Sequence, residues 1–299
     1  MIVIRLKGGL GNQMFQYAMG KHIANKLGVG MKLDLTSLLR THENFFIKPK
    51  ESNVFREYQM DIFDFEVSFL LQPSFIRFLD RFYLNFLLQI SKALKLIGYK
   101  KYREKTFRAD DFIIDSPKDK YLYVGYWQSE KYFKSIETEL RKDFRFKDEL
   151  SGQAKSVYEA ITKVNAVCVH VRRGDFVDNT DAFNCSNLDY FVNGTNYIFK
   201  QTNNPHFFVF SDDIAWCKKH IKFEYDFTVV DYNTDKIKYK EDLQLMASCN
   251  HFIMSASSFS WWAVWLSNKK EAKVVVPKKW FLDNHTDVTD LVNESWIKL

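Results

Sequence analysis

The chain has 299 residues, 46% hydrophobic and 17% aromatic, enough to fill a core in one large or two ordinary domains and to exclude a disordered chain. Lys and Arg number 43 against 37 Asp and Glu, a formal charge of +6; the excess is dispersed, which suits an anionic ligand and argues against a nucleic-acid partner. Four cysteines, Cys168, Cys185, Cys217 and Cys249, lie far apart with no CxxC pair, as expected of free thiols in a reducing compartment.

The opening Met1-Ile2-Val3-Ile4-Arg5-Leu6 lacks the charged, apolar and small-residue series of a secretion signal and reads as a strand over Ile2 to Leu6. A tight turn over Gly8 to Gly11 and a helix over Gln13 to Leu27 follow, then a strand over Met31 to Leu35. Phe45 to Tyr102 is aromatic-rich and mainly helical in pattern. Its greasiest part, from Phe69, is broken by Arg77, Asp80, Arg81, Lys92 and Lys95, so no membrane span is predicted. Tyr121 to Tyr126 is a further strand.

The polar stretch Asp148 to Gln153 predicts a boundary, with domains over 1–150 and 151–299. Beyond it, strands over Val167 to Val171, His206 to Phe210, Phe227 to Val230, His251 to Ser255 and Lys273 to Val276 alternate with helices. Those helices are Leu188 to Lys200, Ile214 to His220, Glu241 to Ser248 and Phe259 to Ser267. Short apolar strands alternating with helices predict an α/β fold whose parallel sheet is covered on both faces. In such sheets ligands bind beyond the carboxyl ends of the strands.

Gly8-Gly9-Leu10-Gly11-Asn12-Gln13 sits where a strand hands over to a helix. Backbone N–H groups at Gly9 and Gly11 can receive phosphate or a polar sugar there; the competing reading is a plain βα turn with Asn12-Gln13 capping the helix. The spacing is neither GxGxxG nor a Walker motif. His170-Val171-Arg172-Arg173-Gly174-Asp175 closes a strand with two guanidiniums, a pyrophosphate clamp or else an Arg-Asp pair closing a loop. No Asp-x-Asp occurs, and the adjacent pairs Asp110-Asp111 and Asp212-Asp213 point successive carboxylates apart, so no metal or other cofactor is expected.

Ser211-Asp212-Asp213 fits a ribose contact through Asp212 or a helix cap. Asp242 can accept two N–H bonds from a guanine edge. The run from Ser255 to Trp262 offers Ser257 and Ser258 to phosphate and Phe259 to a base, against a capped core helix with Trp261, Trp262 and Trp265 at helical spacing. Tyr126, Trp127 and Gln128, within Gly125 to Phe133, suit a sugar acceptor, or core if buried. For the basic, aromatic stretch Phe69 to Arg103, core packing competes with docking on an anionic membrane surface.

Together, Gly8 to Ala18, Gly125 to Phe133, His170 to Asp175, Phe210 to Asp213, Asp242 to Trp262 and Val276-Pro277-Lys278-Lys279-Trp280-Phe281 resemble the bacterial branch of the α-1,2-fucosyltransferases, glycosyltransferase family 11. The resemblance implies a GT-B-like architecture, two Rossmann-like lobes with parallel sheets facing across a cleft, acceptor side first and GDP-fucose side second. It implies an inverting, metal-independent transfer of L-fucose from GDP-fucose to the 2-hydroxyl of a terminal galactose. Arg172 then binds the β-phosphate with Arg173 in support, His170 lies near the nucleotide, and Asp242 contacts guanine. Ser257, Ser258 and Phe259 form the phosphate and base pocket, and Asn12 faces pyrophosphate and fucose. Asp175 is the candidate general base. A nucleotide sugar and a galactose-terminated glycan are the expected partners, in the cytoplasm, with peripheral docking at the inner face of the membrane as a further option. A glycoside hydrolase with two carboxylates across a cleft, and a non-catalytic carbohydrate-binding protein, are the rival readings.

Overall fold

The computed structural model describes residues 1–38, 57–72, 74, 94–109, 119–173, 186–232, 238–281 and 286–299. The chain forms two compact units, Met1–Arg145 with Asp287–Val292, and Phe146–Thr286 with Asn293–Leu299. The division therefore falls at Arg145 and not at 150, and a short segment near the end returns to the first unit. Asp290 explains that return: it accepts from the Ala109 N–H at 2.8 Å and pairs with Lys131 at 2.6 Å.

In the first unit, β1 (Ile2–Arg5), β2 (Met31–Asp34), β3 (Tyr99–Arg103) and β4 (Lys120–Val124) form a parallel sheet in the order β2-β1-β4-β3. Helix α1 (Leu10–Leu27) follows β1 and starts three residues earlier than the sequence pattern predicts. Strand β3 corrects the helical reading of that stretch. It is an edge strand in which Tyr99 is buried while Lys100, Lys101 and Arg103 are exposed, so it carries no apolar run. The short helix α2 (Glu137–Asp143) precedes the division.

The second unit opens with α3 (Gly152–Thr162) and β5 (Asn165–Val171), followed by α4 (Leu188–Gln201), β6 (Pro205–Ser211), α5 (Ile214–His220) and β7 (Phe227–Val229). Then come α6 (Lys238–Ala247), β8 (His251–Ile253), α7 (Ser258–Ser267), β9 (Val274–Val276) and β10 (Ile297–Lys298). The sheet runs β10-β9-β8-β5-β6-β7, all parallel. As a central strand, β5 is buried on both faces, which is why Ala166 to Val169 read as an unbroken apolar run. Tyr190, Phe191 and Ile198 of α4 join Val167, Val169, Phe207, Val209 and Ile253 in one core cluster. Truncating Phe191 or Phe207 to Ala should cost about 3–5 kcal/mol. Because the strands are parallel, the loops after β5, β6 and β8 leave from the same end of the sheet, and they carry most of the expected site residues.

Candidate active site

At the carboxyl end of β5 the chain is stitched to the loop after β8. Ser255 donates through Oγ to the His170 carbonyl at 2.7 Å, and the same Oγ accepts from the Arg172 N–H at 3.0 Å. The guanidinium of Arg172 meets Asp212 at 2.7 Å, and Asp212 also accepts from the Arg173 N–H at 2.9 Å. Asp212 thus braces both arginines, whereas the cap of α5 is Asp213, which accepts from the Trp216 N–H at 3.0 Å. Arg173 is engaged within the same unit: its Nε lies 3.2 Å from Asp213 and its guanidinium stacks 3.8 Å from the Trp216 ring centre. Asp213 therefore caps α5 through one oxygen and holds the Arg173 side chain through the other, while Asp212 holds the Arg172 side chain and the Arg173 N–H.

His170 is 6% exposed, with its ring 5.8 Å from that of Phe259, and its Nδ1 finds no hydrogen-bond partner among the described residues. Burial pulls its imidazole down to about 4, against an opposing pull from Asp212 and with a further push from Arg172. It is therefore neutral near pH 7, and an orphaned buried ring nitrogen costs about 1–3 kcal/mol until a ligand meets it. Ser257 caps α7 by accepting from the Phe259 N–H at 3.3 Å, and Ser258 and Phe259, both half-buried, begin the helix. Positive helix-dipole potential, a guanidinium and an unsatisfied imidazole nitrogen are thus gathered at one sheet end.

Asp242 lies on α6, 9% exposed, accepting from the Tyr232 hydroxyl at 3.0 Å. Burial raises its carboxyl to about 6, opposed by Lys238 and by the Tyr232 bond and reinforced by Glu241. Asp175, the expected base, and the residues Gly174, Cys185, Asp110 and Asp111 lie outside the described residues.

In the first unit Gly9 is the N-cap of α1, with no side-chain cap, so Asn12 and Gln13 do not cap the helix. Gln13 instead holds the turn together: its amide donates to the Gly8 and Glu57 carbonyls at 2.9 and 2.8 Å and accepts from the Gln59 N–H at 3.0 Å. Gln16 clamps Lys7, accepting from its N–H at 3.0 Å and donating to its carbonyl at 3.1 Å. Gly8 has φ +78, and a Cβ there would come within 2.4 Å of Asn12 Nδ2, so both backbone and space demand glycine. Asn12, half-buried, lies over that glycine, while Gly9 is half-buried and Gly11 is buried.

The turn after β4 corrects one expectation. Trp127 is 1% exposed and packs among Tyr102, Tyr123 and Tyr132, so it is core and cannot touch a sugar. It also adopts φ 58, a conformation costing a bulky residue about 1–3 kcal/mol. Gln128 is spent internally, donating to Asn12 Oδ1 at 2.6 Å. Tyr126 stays half-buried with the Lys7 ammonium 3.6 Å from its ring centre, which covers one ring face. Glu104, which no motif reading singled out, follows β3 and accepts from the N–H groups of Tyr126 and Trp127 at 2.5 and 2.8 Å. A carboxylate one residue beyond a strand, with a glycine ending the neighbouring strand, was the available signal.

The sequence profile of Glycosyl transferase family 11 matches residues 1–299. An alpha-1,2-colitosyltransferase of Escherichia coli is 30% identical over 308 residues, covering 100% of this chain and 98% of its own. Galactoside alpha-(1,2)-fucosyltransferase 2 of Rattus norvegicus is 27% identical over 154 residues, covering 48% of this chain and 43% of its own. Among solved structures, a mutant of Arabidopsis thaliana FUT1 in complex with GDP aligns with TM-score 0.53 at 13% identity, covering 92% of this chain and 70% of that one, a likeness of fold. Two parallel α/β units of the GT-B type, and a profile match from the first residue to the last, mean that the chain belongs to glycosyl transferase family 11.

Proposed function

We propose that this glycosyltransferase moves L-fucose from GDP-fucose to the 2-hydroxyl of a terminal galactose, with inversion and without a metal ion. What supports the donor assignment is the gathering of Arg172, the orphaned Nδ1 of His170 and the Ser257-capped start of α7 at the carboxyl ends of β5 and β8. The acceptor hydroxyl attacks the anomeric carbon while GDP departs from the opposite face. Negative charge grows on the β-phosphate as that bond breaks, so Arg172 interacts more strongly with the transition state than with the ground state. With Arg173 committed to Asp213 and Trp216, Arg172 takes the phosphate and Arg173 fixes the chain leaving β5. Asp242 reads guanine and Phe259 packs on the base. Gly9, Gly11 and Asn12 serve the sugar half of the donor, and the half-buried Tyr126 serves the acceptor. Asp175 remains the candidate base.

Colitose as the transferred sugar is the second reading, favoured by the relative at 30% identity. Among the described residues no helix is long and apolar enough to cross a membrane; a cytoplasmic site of action, with the glycan presented at the inner membrane face, belongs to this proposal. Purified protein should be given GDP-fucose or GDP-colitose with a panel of galactosides in EDTA, and the product linkage determined by NMR. An α-1,2-fucosyl galactoside is expected. A preferred colitosyl product selects the second reading; glycan cleavage without donor, or glycan binding without transfer, overturns both.

A further inference from the structure

We propose that Glu104 is a positioning residue that sets which polar group Asn12 offers to substrate. The inference rests on the reading of Asn12 as a contact to the transferring sugar. The carboxylate follows β3 and receives two consecutive backbone N–H groups, Tyr126 at 2.5 Å and Trp127 at 2.8 Å, from 22 and 23 residues away. Two donors on one carboxylate fix the direction in which the chain leaves β4.

The seat is tight. A Cβ at Gly125 would lie 2.5 Å from Glu104 Cβ and 2.7 Å from Trp127 Cε2. The next residue but one, Trp127, is held at φ 58 with its ring buried. A bulky residue stays in that conformation only where its surroundings over-determine it, and here the ring packing and the Glu104 bonds do so together.

One residue later the consequence reaches the site. Gln128 donates from Nε2 to Asn12 Oδ1 at 2.6 Å. The bond fixes the amide with Oδ1 turned to Gln128 and Nδ2 on the side of Gly8, so the group it presents to an oxygen-rich ligand such as a sugar hydroxyl or phosphoryl oxygen is the Nδ2 donor. Released from Gln128, the amide would rotate and spend part of its time presenting an acceptor to those same oxygens. Glu104 therefore acts through the Tyr126–Gln128 turn, touching no reacting atom.

The test compares Glu104→Gln, Gln128→Ala, their combination and Asn12→Asp, reading kcat, acceptor KM, GDP affinity and melting temperature. Glu104→Gln replaces one acceptor oxygen with an amide donor facing an N–H. It should lower kcat about 10- to 100-fold, as a small misplacement at the reacting centre does, with GDP affinity within about threefold of the parent. The double variant should lose no more than the worse single one. Asn12→Asp keeps an acceptor for Gln128 and removes the offered N–H, and should lose at least as much. A Glu104→Gln enzyme at parental kcat beside an inactive Asn12→Asp overturns the role of Glu104 alone. Losses that multiply in the double variant overturn the route through Gln128, and full activity of Asn12→Asp overturns the reading of Asn12 itself. Should Glu104→Gln not fold, Gln128→Ala carries the test, and a parental kcat there overturns the proposal.

Discussion

The guanine contact proposed for Asp242 predicts that GDP binding depends on pH in a direction and size fixed by the carboxyl's burial. The group is 9% exposed, and burial lifts it to about 6, while Lys238 and the Tyr232 hydroxyl pull it down and Glu241 pushes it up. Two N–H donors on a guanine edge need two acceptor oxygens, which only the ionised carboxylate supplies. With a carboxyl at about 6, the ionised fraction falls from about 90% at pH 7 to about 10% at pH 5, so this contact should weaken GDP about tenfold, or about 1.4 kcal/mol. The last proton of the nucleotide's own phosphate titrates in the same range. The quantity to read is therefore the difference between parent and Asp242→Asn, by calorimetric titration at fixed ionic strength from pH 5 to 8. At pH 7.5 the variant should bind GDP about 1.5–3 kcal/mol more weakly, since it loses a charged acceptor. Stability should move the opposite way. The folded state holds this proton more tightly than the unfolded chain, so Asp242 favours folding at acid pH and loses that contribution as pH rises from about 4 through about 6, a swing of about 3 kcal/mol. Asp242→Asn should consequently melt higher than the parent at pH 7.5 and show no such advantage at pH 4. Parallel pH curves for the two proteins, or equal GDP affinity at pH 7.5, would refute the assignment of guanine to Asp242.

Further outcomes can be measured on the same protein. Arg172→Ala, folded as judged by melting, should lose about 10²–10³-fold in kcat, and a rate near the parent's removes Arg172 from leaving-group stabilisation. Asp212→Asn removes the brace of both arginines together with a negative charge beside the phosphate site. It should lower kcat while leaving GDP binding equal or tighter, and a parallel loss of both would show that Asp212 contacts the nucleotide. Tyr232→Phe deletes a bond to ionised Asp242, so the midpoint of the GDP pH curve should move upward; an unmoved midpoint breaks the link between that hydroxyl and the carboxyl. Excess EDTA should leave initial rates unchanged, and restoration of a lost rate by Mg²⁺ or Mn²⁺ would require a metal in place of the fixed cations.

The second unit was legible in sequence because its geometry imposes a pattern. Strands such as β5 and β6 are covered on both faces, so Ala166–Val169 and Phe207–Phe210 announce themselves as apolar runs between helices. Strand β3 is an edge with exposed lysines at Lys100 and Lys101, and nothing in its period separates it from the helical pattern before it. The return of Asp287–Val292 to the first unit was equally hidden: it depends on Asp290 reaching Lys131, 159 residues away. Pairings at that separation leave no mark in local periodicity.

The site divides along the same line. The proposed donor contacts His170, Arg172, Ser257 and Phe259 lie where a parallel sheet delivers its loops, so motif and topology point to them together. What the sequence conceals is how polar side chains spend their bonds. Gln13 reads as a helix cap but holds the turn, Gln128 reads as an acceptor contact but donates to Asn12, and Trp127 reads as a sugar platform but is buried by the aromatic cluster around it. Glu104 reads as nothing and holds two backbone N–H groups. The available hydrogen bonds of a buried polar group are few and must all be placed, so the residues left to face substrate are found by subtraction. That subtraction needs partners distant in the chain, which is why the strand-end position of Arg172 is legible in the sequence and the pairing of Glu104 with the Tyr126–Gln128 turn is not.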